Sequence, residues 1–249
     1  MKEYFGPETK FLLIIPTYNE IENITRLIQS VHKLIQLQNL NLEILVVDDN
    51  SPDGTSQAVK NLDFEFVEVL DRPTKNGLGE AYKDAFDWAR MRSFDFVIEM
   101  DADFSHQVDD LLKLIQADLK FDLVIGSRWV AGGKVINWPF YRILISRAGN
   151  FYAKTLLRLQ VKDLTSGFRR ISVAALSSLD LSQVQSSGYG FQVEVANLFT
   201  KSGKSVLEVP ITFVERVYGK SKMNASIAIE AFRNVTAQSR KQRLKNQNV

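Results

Sequence analysis

Five short apolar runs, each closed by a polar turn and the first four followed by a helix-forming stretch, constrain this chain more than any other feature. Residues 11–15 (FLLII) end at Pro16 and the turn Thr17-Tyr18-Asn19-Glu20, and residues 21–37 then carry apolar positions at helical spacing. Asn19 or Thr17 is the candidate cap of that helix. Residues 42–47 run into Asp48-Asp49-Asn50-Ser51-Pro52-Asp53-Gly54-Thr55 before a short helix near 56–61. Residues 66–70 lead to Lys75-Asn76-Gly77-Leu78-Gly79 and a helix over 80–92. Phe96-Val97-Ile98 passes through Glu99 and Met100 into Asp101-Ala102-Asp103, ahead of a helix over 108–119, and residues 123–125 form the fifth run. Apolar runs without alternation read as strands buried on both faces. Strands separated by helices require crossover connections, hence an α/β fold with a mainly parallel central sheet flanked by helices.

The chemistry gathers at one end of that sheet. Residues 16–20, 48–53, 101–106 and 126–128 all follow the C-terminal ends of strands, where open α/β sheets bind their ligands. One pocket shared by these turns is the economical reading. Asp101 and Asp103, two residues apart, bring carboxylates close enough to repel unless a cation lies between them. A hard divalent ion such as Mg²⁺ or Mn²⁺, carrying a phosphate-bearing substrate, suits them. Arg128 is a candidate for phosphate and Tyr18 for a ring. Neither GxGxxG nor GxxxxGK[ST] occurs, which leaves out a dinucleotide fingerprint and a P-loop. The absence of cysteine excludes thiolate chemistry and disulfides, and two histidines are too few for a histidine-rich zinc site. No basic-then-apolar leader precedes the first strand, and no apolar stretch approaches the roughly 20 residues that span a bilayer.

Beyond Arg128 the character changes. Residues 130–133 (VAGG) read as a flexible link, and Trp138-Pro139-Phe140-Tyr141 opens a helical segment near 139–159. Leu144, Ala148, Phe151, Tyr152, Thr155, Leu156 and Leu159 keep helical spacing, with Arg147, Lys154 and Arg158 along another side. Two readings stand: a helix packed on the core with a solvated basic face, or one lying at a membrane surface. Residues 163–170 (DLTSGFRR) make a polar turn into a short helical stretch, and 187–194 lead into a helix ending near Lys201. Residues 206–210 and 211–214 read as a strand pair, or as one strand with Pro210 at an edge. Arg216, Lys220 and Lys222 then surround a glycine, the makeup of a phosphate-gripping loop. A helix over 225–239 and a basic tail complete the chain.

The motifs IPTYNE, VVDDNSPDGT, KNGLGEAY, MDADFSH, GSRWVAGG, DLTSGFRR, GYGFQVE and VPITFVERVYGKSK occur in that order from about residue 11 to 224. In this the chain resembles the dolichol-phosphate (polyprenyl-phosphate) mannose synthases, inverting family 2 glycosyltransferases of GT-A fold. The resemblance implies one GT-A catalytic domain over 1–224, followed by a helix and basic tail over 225–249. It implies that Pro16, Tyr18, Glu20, Val47 and Asp49 hold the nucleotide and that Asp101 and Ala102 contact the nucleotide sugar. Asp103 is then the metal ligand, with Arg128, Arg216 and Lys222 around the diphosphate and the acceptor phosphate. Where some members place a side-chain amide as a further ligand this chain has Ser105, so water, Ser105 or His106 takes that position. Arg142 and Arg147 are candidates for the acceptor phosphate on charge and placement. The implied reaction moves mannose from GDP-mannose to a polyprenyl (dolichyl-type) phosphate with inversion, giving the β-linked product, with Mg²⁺ or Mn²⁺ and no dedicated general base. The implied setting is peripheral, at the cytoplasmic face of a membrane, with a small membrane-anchoring protein as a candidate partner and no nucleic acid. Two alternatives stay open: transfer from UDP-glucose to the same acceptor, and a non-catalytic nucleotide-sugar-binding subunit.

Overall fold

A computed structural model describes residues 8–186, 188–216 and 235–236. The first half alternates as the apolar runs require: β1 (Phe11–Thr17), α1 (Ile21–Gln38), β2 (Leu42–Asp48), α2 (Thr55–Lys60), β3 (Val67–Asp71), α3 (Leu78–Arg90), β4 (Phe96–Glu99), α4 (Leu111–Ile115) and β5 (Leu123–Ser127). The second half adds β6 (Lys134–Ile136), α5 (Phe140–Leu157), β7 (Arg169–Ser172), α6 (Val173–Ser177), α7 (Tyr189–Lys201), β8 (Val206–Pro210) and β9 (Thr212–Val214). Seven strands form one sheet in the order β3-β2-β1-β4-β7-β5-β8, and β6 pairs with β9 in a small second sheet. Every neighbouring pair in the large sheet is parallel except those made by β7, which runs antiparallel to both β4 and β5.

Successive strand residues face opposite sides, so each strand feeds two cores. Leu12, Ile14, Leu45, Val47, Val97 and Ile125 pack under α3, α7 and the inner side of α5, with Tyr82, Phe86, Phe191 and Phe199. Leu13, Ile15, Ile44, Val46 and Ile98 pack under α1 and α4, with Leu27, Ile28, Val31, Leu111 and Leu114. Because β1 lies between β2 and β4, the crossovers diverge beside it, and a crevice opens beyond the strand ends.

The structure departs from the sequence reading in five places. Between the polar turn of 163–170 and the expected short helical stretch, present as α6, residues 169–172 form an unexpected strand, although their composition (RRIS) offers one aliphatic residue. Both guanidiniums are fully buried. Arg169 donates to the carbonyls of Ser166, Leu164 and Gln192 at 2.8, 2.8 and 2.7 Å. Arg170 donates to those of Leu114, Ala117 and Asp118 at 3.1, 2.6 and 2.8 Å. These include carbonyls at and just beyond the end of α4, which a helix leaves without intrahelical partners. The expected helix over 108–119 accordingly divides into a 3₁₀ turn, Val108–Asp110, and a short α4 that stops at Ile115. Between the link at 130–133 and the helical segment beyond it stands a further strand, β6. Residues 206–214 form two strands, the first of the two readings, but these lie in different sheets with Ile211 between them, and β8, which ends at Pro210, is an edge strand. Finally, neither Asn19 nor Thr17 caps α1. Asp53, from the loop after β2, accepts the Ile21 N–H at 3.2 Å. Of the expected helix over 225–239 only residues 235–236 are described, and these are helical, whereas the phosphate-gripping residues Lys220 and Lys222 lie outside the described residues.

Candidate active site

The ends of β1 and β2 are in register, with Pro16 opposite Val47 and Thr17 opposite Asp48. Asp48 is buried and accepts from Thr17 Oγ1 (2.7 Å), Ser51 Oγ (2.7 Å) and Ser51 N–H (2.8 Å), which staples the following turn. The Asn19 and Glu20 amides donate to Ser51 Oγ and Thr55 Oγ1, each at 3.0 Å, so the loops after β1 and β2 form one unit. Asp49 faces a different partner. Its carboxylate pairs with Arg72, whose Nε donates to Asp84 at 2.7 Å. Burial raises the Asp49 pKa against the lowering pull of Arg72. The Lys75 ammonium stands 3.6 Å above the Tyr18 ring. Glu20 is turned toward its own helix, accepting from Asn23 Nδ2 at 3.1 Å.

At the end of β4, Met100 N–H still bonds across the sheet to Ile14 O at 3.1 Å. The Asp101 amide, next in line, donates to His106 Nδ1 at 3.2 Å, and Ser105 N–H donates to Asp103 Oδ1 at 3.0 Å. Phe104 closes this turn at φ +59°, a left-handed conformation uncommon outside glycine. Ala102, Asp103 and Ser105 are buried, whereas the Asp101 side chain is 38% exposed. Arg216 Nη2 lies 3.0 Å from Asp103 Oδ2, so the carboxylate expected to hold a cation already faces a positive group. The Asp101 carboxylate stands 3.9 Å from His106 Nδ1, but this is not an ion pair: burial pushes the imidazole pKa down to about 4. Beneath the turn, Glu99 is fully buried, receives Gln192 Nε2 at 2.9 Å and has its pKa raised by burial to about 7.

On the other side of the crevice, Arg128 is 7% exposed. Its Nε and Nη2 meet the fully buried Asp163 at 2.8 and 2.7 Å, its own amide donates to Asp163 at 2.9 Å, and Nη2 also reaches Thr165 Oγ1 at 2.9 Å. The guanidinium centre lies 5.3–5.6 Å from the rings of Trp129, Trp138 and Phe213. Arg142 stacks 4.2 Å over Trp138 and pairs with Glu215, and Arg147 lies 5.0 Å over Trp129. Arg128, Arg142 and Arg147, chosen separately from the sequence, therefore share one aromatic cluster.

Arg72, Asp84, Asp163 and Gln192 escaped the sequence reading. Asp163 and Gln192 sit inside quoted motifs, DLTSGFRR and GYGFQVE, so a signal was present without a partner to give it meaning. Arg72 and Asp84 belong to no motif singled out. Chemically the site offers two adjacent carboxylates at a strand end, a guanidinium beside one of them, and further cations a short way off. That set suits a divalent ion completed by ligands from a diphosphate. Among the described residues, no group of three or more His, Cys, Asp or Glu side chains could enclose a metal alone.

The chain belongs to glycosyl transferase family 2, whose family pattern it matches over residues 12–179. It is 45% identical to the undecaprenyl-phosphate mannosyltransferase of Micrococcus luteus, over 91% of this chain and 93% of that protein. It is 44% identical to the polyprenol monophosphomannose synthase of Mycolicibacterium smegmatis, over 90% of this chain and 85% of that one. Among solved structures it resembles glucosyl-3-phosphoglycerate synthase from Mycobacterium tuberculosis, with a TM-score of 0.69 at 17% identity over 93% of this chain and 80% of that chain. That enzyme has also been solved with Mn²⁺, UDP and glucosyl-3-phosphoglycerate, a match with TM-score 0.67 and 18% identity. The fold is GT-A and the chain is a glycosyltransferase.

Proposed function

We propose that this enzyme transfers mannose from GDP-mannose to a polyprenyl phosphate with inversion, giving a polyprenyl phosphate β-mannose for use as a lipid-linked sugar donor. The observation that carries this reading is similarity over 90–91% of the chain to two proteins named for polyprenyl-phosphate mannosyl chemistry. Asp49, Tyr18, Pro16, Glu20 and Val47 receive the nucleotide, and Asp101, Ala102 and Asp103 face the diphosphate-sugar. Asp103, with Asp101, would hold Mg²⁺ or Mn²⁺, which when bound supplies Lewis-acid stabilisation of the leaving diphosphate. Arg216 and Lys222 neutralise the remaining charge on that group. The acceptor's own phosphate oxygen, ionised near neutral pH, attacks the anomeric carbon, so no side chain has to remove a proton. Arg142 and Arg147 orient that phosphate. Arg128, already paired with Asp163, completes the positive wall behind it.

We further propose a peripheral position at the cytoplasmic face of a membrane, with α5 as the contact. Phe140, Tyr141, Leu144, Ile145 and Phe151 are 56–79% exposed on this helix, while Asn150, Ala153 and Leu157 face the core. This arrangement favours the membrane-surface reading of residues 139–159 over a helix whose apolar stripe is packed inward. Among the described residues, no helix is long and apolar enough to cross a membrane.

Transfer of labelled sugar from GDP-mannose to a short polyprenyl phosphate, with Mg²⁺ or Mn²⁺, tests the reading. A mannosyl-lipid product that requires the metal and is lost in Asp103→Ala is expected. Product from UDP-glucose alone would replace the donor. GDP binding without product from any donor would favour a missing membrane partner or a binding subunit.

A further inference from the structure

His106 sits where the Asp101–Asp103 turn, the segment before β7 and strand β9 meet. Its ring lies nearly parallel to Phe168, with centroids 4.8 Å apart at 14°, and edge-on to Phe213 at 5.3 Å. The side chain is 1% exposed, and the backbone bridges antiparallel to Phe213. The sheet ladder ends at Met100, so the Asp101 amide needs an acceptor elsewhere, and it finds His106 Nδ1 at 3.2 Å. An imidazole that accepts at Nδ1 carries its proton at Nε2 and has no lone pair left for a cation. The far end of the turn is fixed by Ser105, whose amide goes to Asp103 Oδ1 and whose carbonyl receives Val214 N–H at 3.0 Å. Two residues beyond Val214 stands Arg216, the partner of Asp103.

We propose that His106 is a positioning residue for sugar transfer rather than a metal ligand. By holding the Asp101 amide and packing against Phe213, it sets the pitch of the carboxylate turn relative to β9. It thereby sets how Asp103 and Arg216 together meet a diphosphate. This rests on the reading of the turn as the metal and diphosphate site.

The test compares the full-length protein with His106→Phe, His106→Asn and Asp103→Ala, reading Mn²⁺ affinity in the presence of GDP by electron paramagnetic resonance. KM and kcat for GDP-mannose and the thermal midpoint are measured alongside. Phenylalanine keeps the stack on Phe168 but cannot accept a hydrogen bond. Asparagine places its Oδ1 near the position of Nδ1. His106→Phe is expected to weaken Mn²⁺ binding about 10- to 100-fold, the usual effect of losing a residue that orients a ligand, with its thermal midpoint close to wild type. His106→Asn is expected to recover most of the loss. Wild-type affinity in His106→Phe, or no recovery in a folded His106→Asn, overturns the inference. If Asp103→Ala also binds Mn²⁺ and GDP normally, the site reading itself fails. If only Asp103→Ala is impaired, the positioning role alone fails. Should His106→Phe not fold, ¹⁵N spectra of the wild-type side chains decide, since the chain has two histidines and His32→Gln identifies the other. A proton on Nε2 is expected, and one on Nδ1 overturns the inference.

Discussion

Around the ends of β1 and β2 the polar side chains are turned on one another: Asp48 takes Thr17 and Ser51, Asp53 takes the first amide of α1, and Asp49 takes Arg72. Across the crevice, α5 does the reverse. It sets Phe140, Tyr141, Leu144, Ile145 and Phe151 outward and lays Arg142 and Arg147 over indole rings. Apart from Arg72, the first arrangement consists of short side chains with few rotamers at strand ends and in the loop after β2, already held by hydrogen bonds, which lose little entropy when a ligand arrives. The second consists of long cations on aromatic faces beside an apolar surface, which suits a ligand with a charged head and an oily tail. On the proposed function, the first side would take the water-soluble donor and the second the lipid.

The largest effect should come from the buried Arg128–Asp163 pair on the α5 side. Asp163→Ala leaves the Arg128 guanidinium buried without its carboxylate, and a broken buried pair costs about 3–5 kcal/mol. Asp49→Ala should cost less, because Arg72 keeps Asp84. Urea unfolding of both variants checks the order, and equal losses would erase the distinction drawn between the two sides.

Next in size, Phe140→Ser combined with Phe151→Ser should weaken binding to vesicles containing anionic phospholipid by about tenfold or more per side chain, given the burial worth of phenylalanine. GDP binding and the thermal midpoint should hold. A parallel loss of GDP affinity would show that the two sides are not separable.

A smaller effect is expected at Glu99, whose pKa is raised by burial from 4.5 to about 7. Between those values the folded metal-free protein keeps a proton that the unfolded chain has released. This contribution to stability is therefore full below pH 4.5 and lost as pH rises through 7. Glu99→Gln should flatten that part of the stability–pH profile and raise stability at pH 8 relative to wild type. An unchanged slope in denaturation midpoints across pH 5–8 would refute it. Smallest of all, Lys75→Ala removes an exposed cation over Tyr18, worth about 0.5–1 kcal/mol. Thermal unfolding should barely move, and a change in the KM for GDP-mannose would mark the ring as part of the nucleotide's seat.

The first five strands were legible because each is an aliphatic run closed by a turn, and the chemistry lies in turns at their C-terminal ends. β7 was not legible, because Arg169 and Arg170 read as surface residues by every local rule. Only the carbonyls waiting at Leu114, Ala117, Leu164 and Gln192 make burial tolerable, and those are set by tertiary structure. The same limit hid the hold of Asp163 on Arg128, which spans 35 residues, and the Arg72 bridge from Asp49 to Asp84. The carboxylate turn itself was readable from Asp101-Ala102-Asp103. The use of His106 as its hydrogen-bond acceptor was not, since spacing does not reveal which way a ring nitrogen points.

The 3.0 Å contact between Asp103 and Arg216 makes this carboxylate a shared one. On the proposed function, a divalent ion held by Asp103 would compete with the guanidinium for the same charge, and the donor's diphosphate would offer that guanidinium a second anion. Metal and donor would then be coupled through a single side chain.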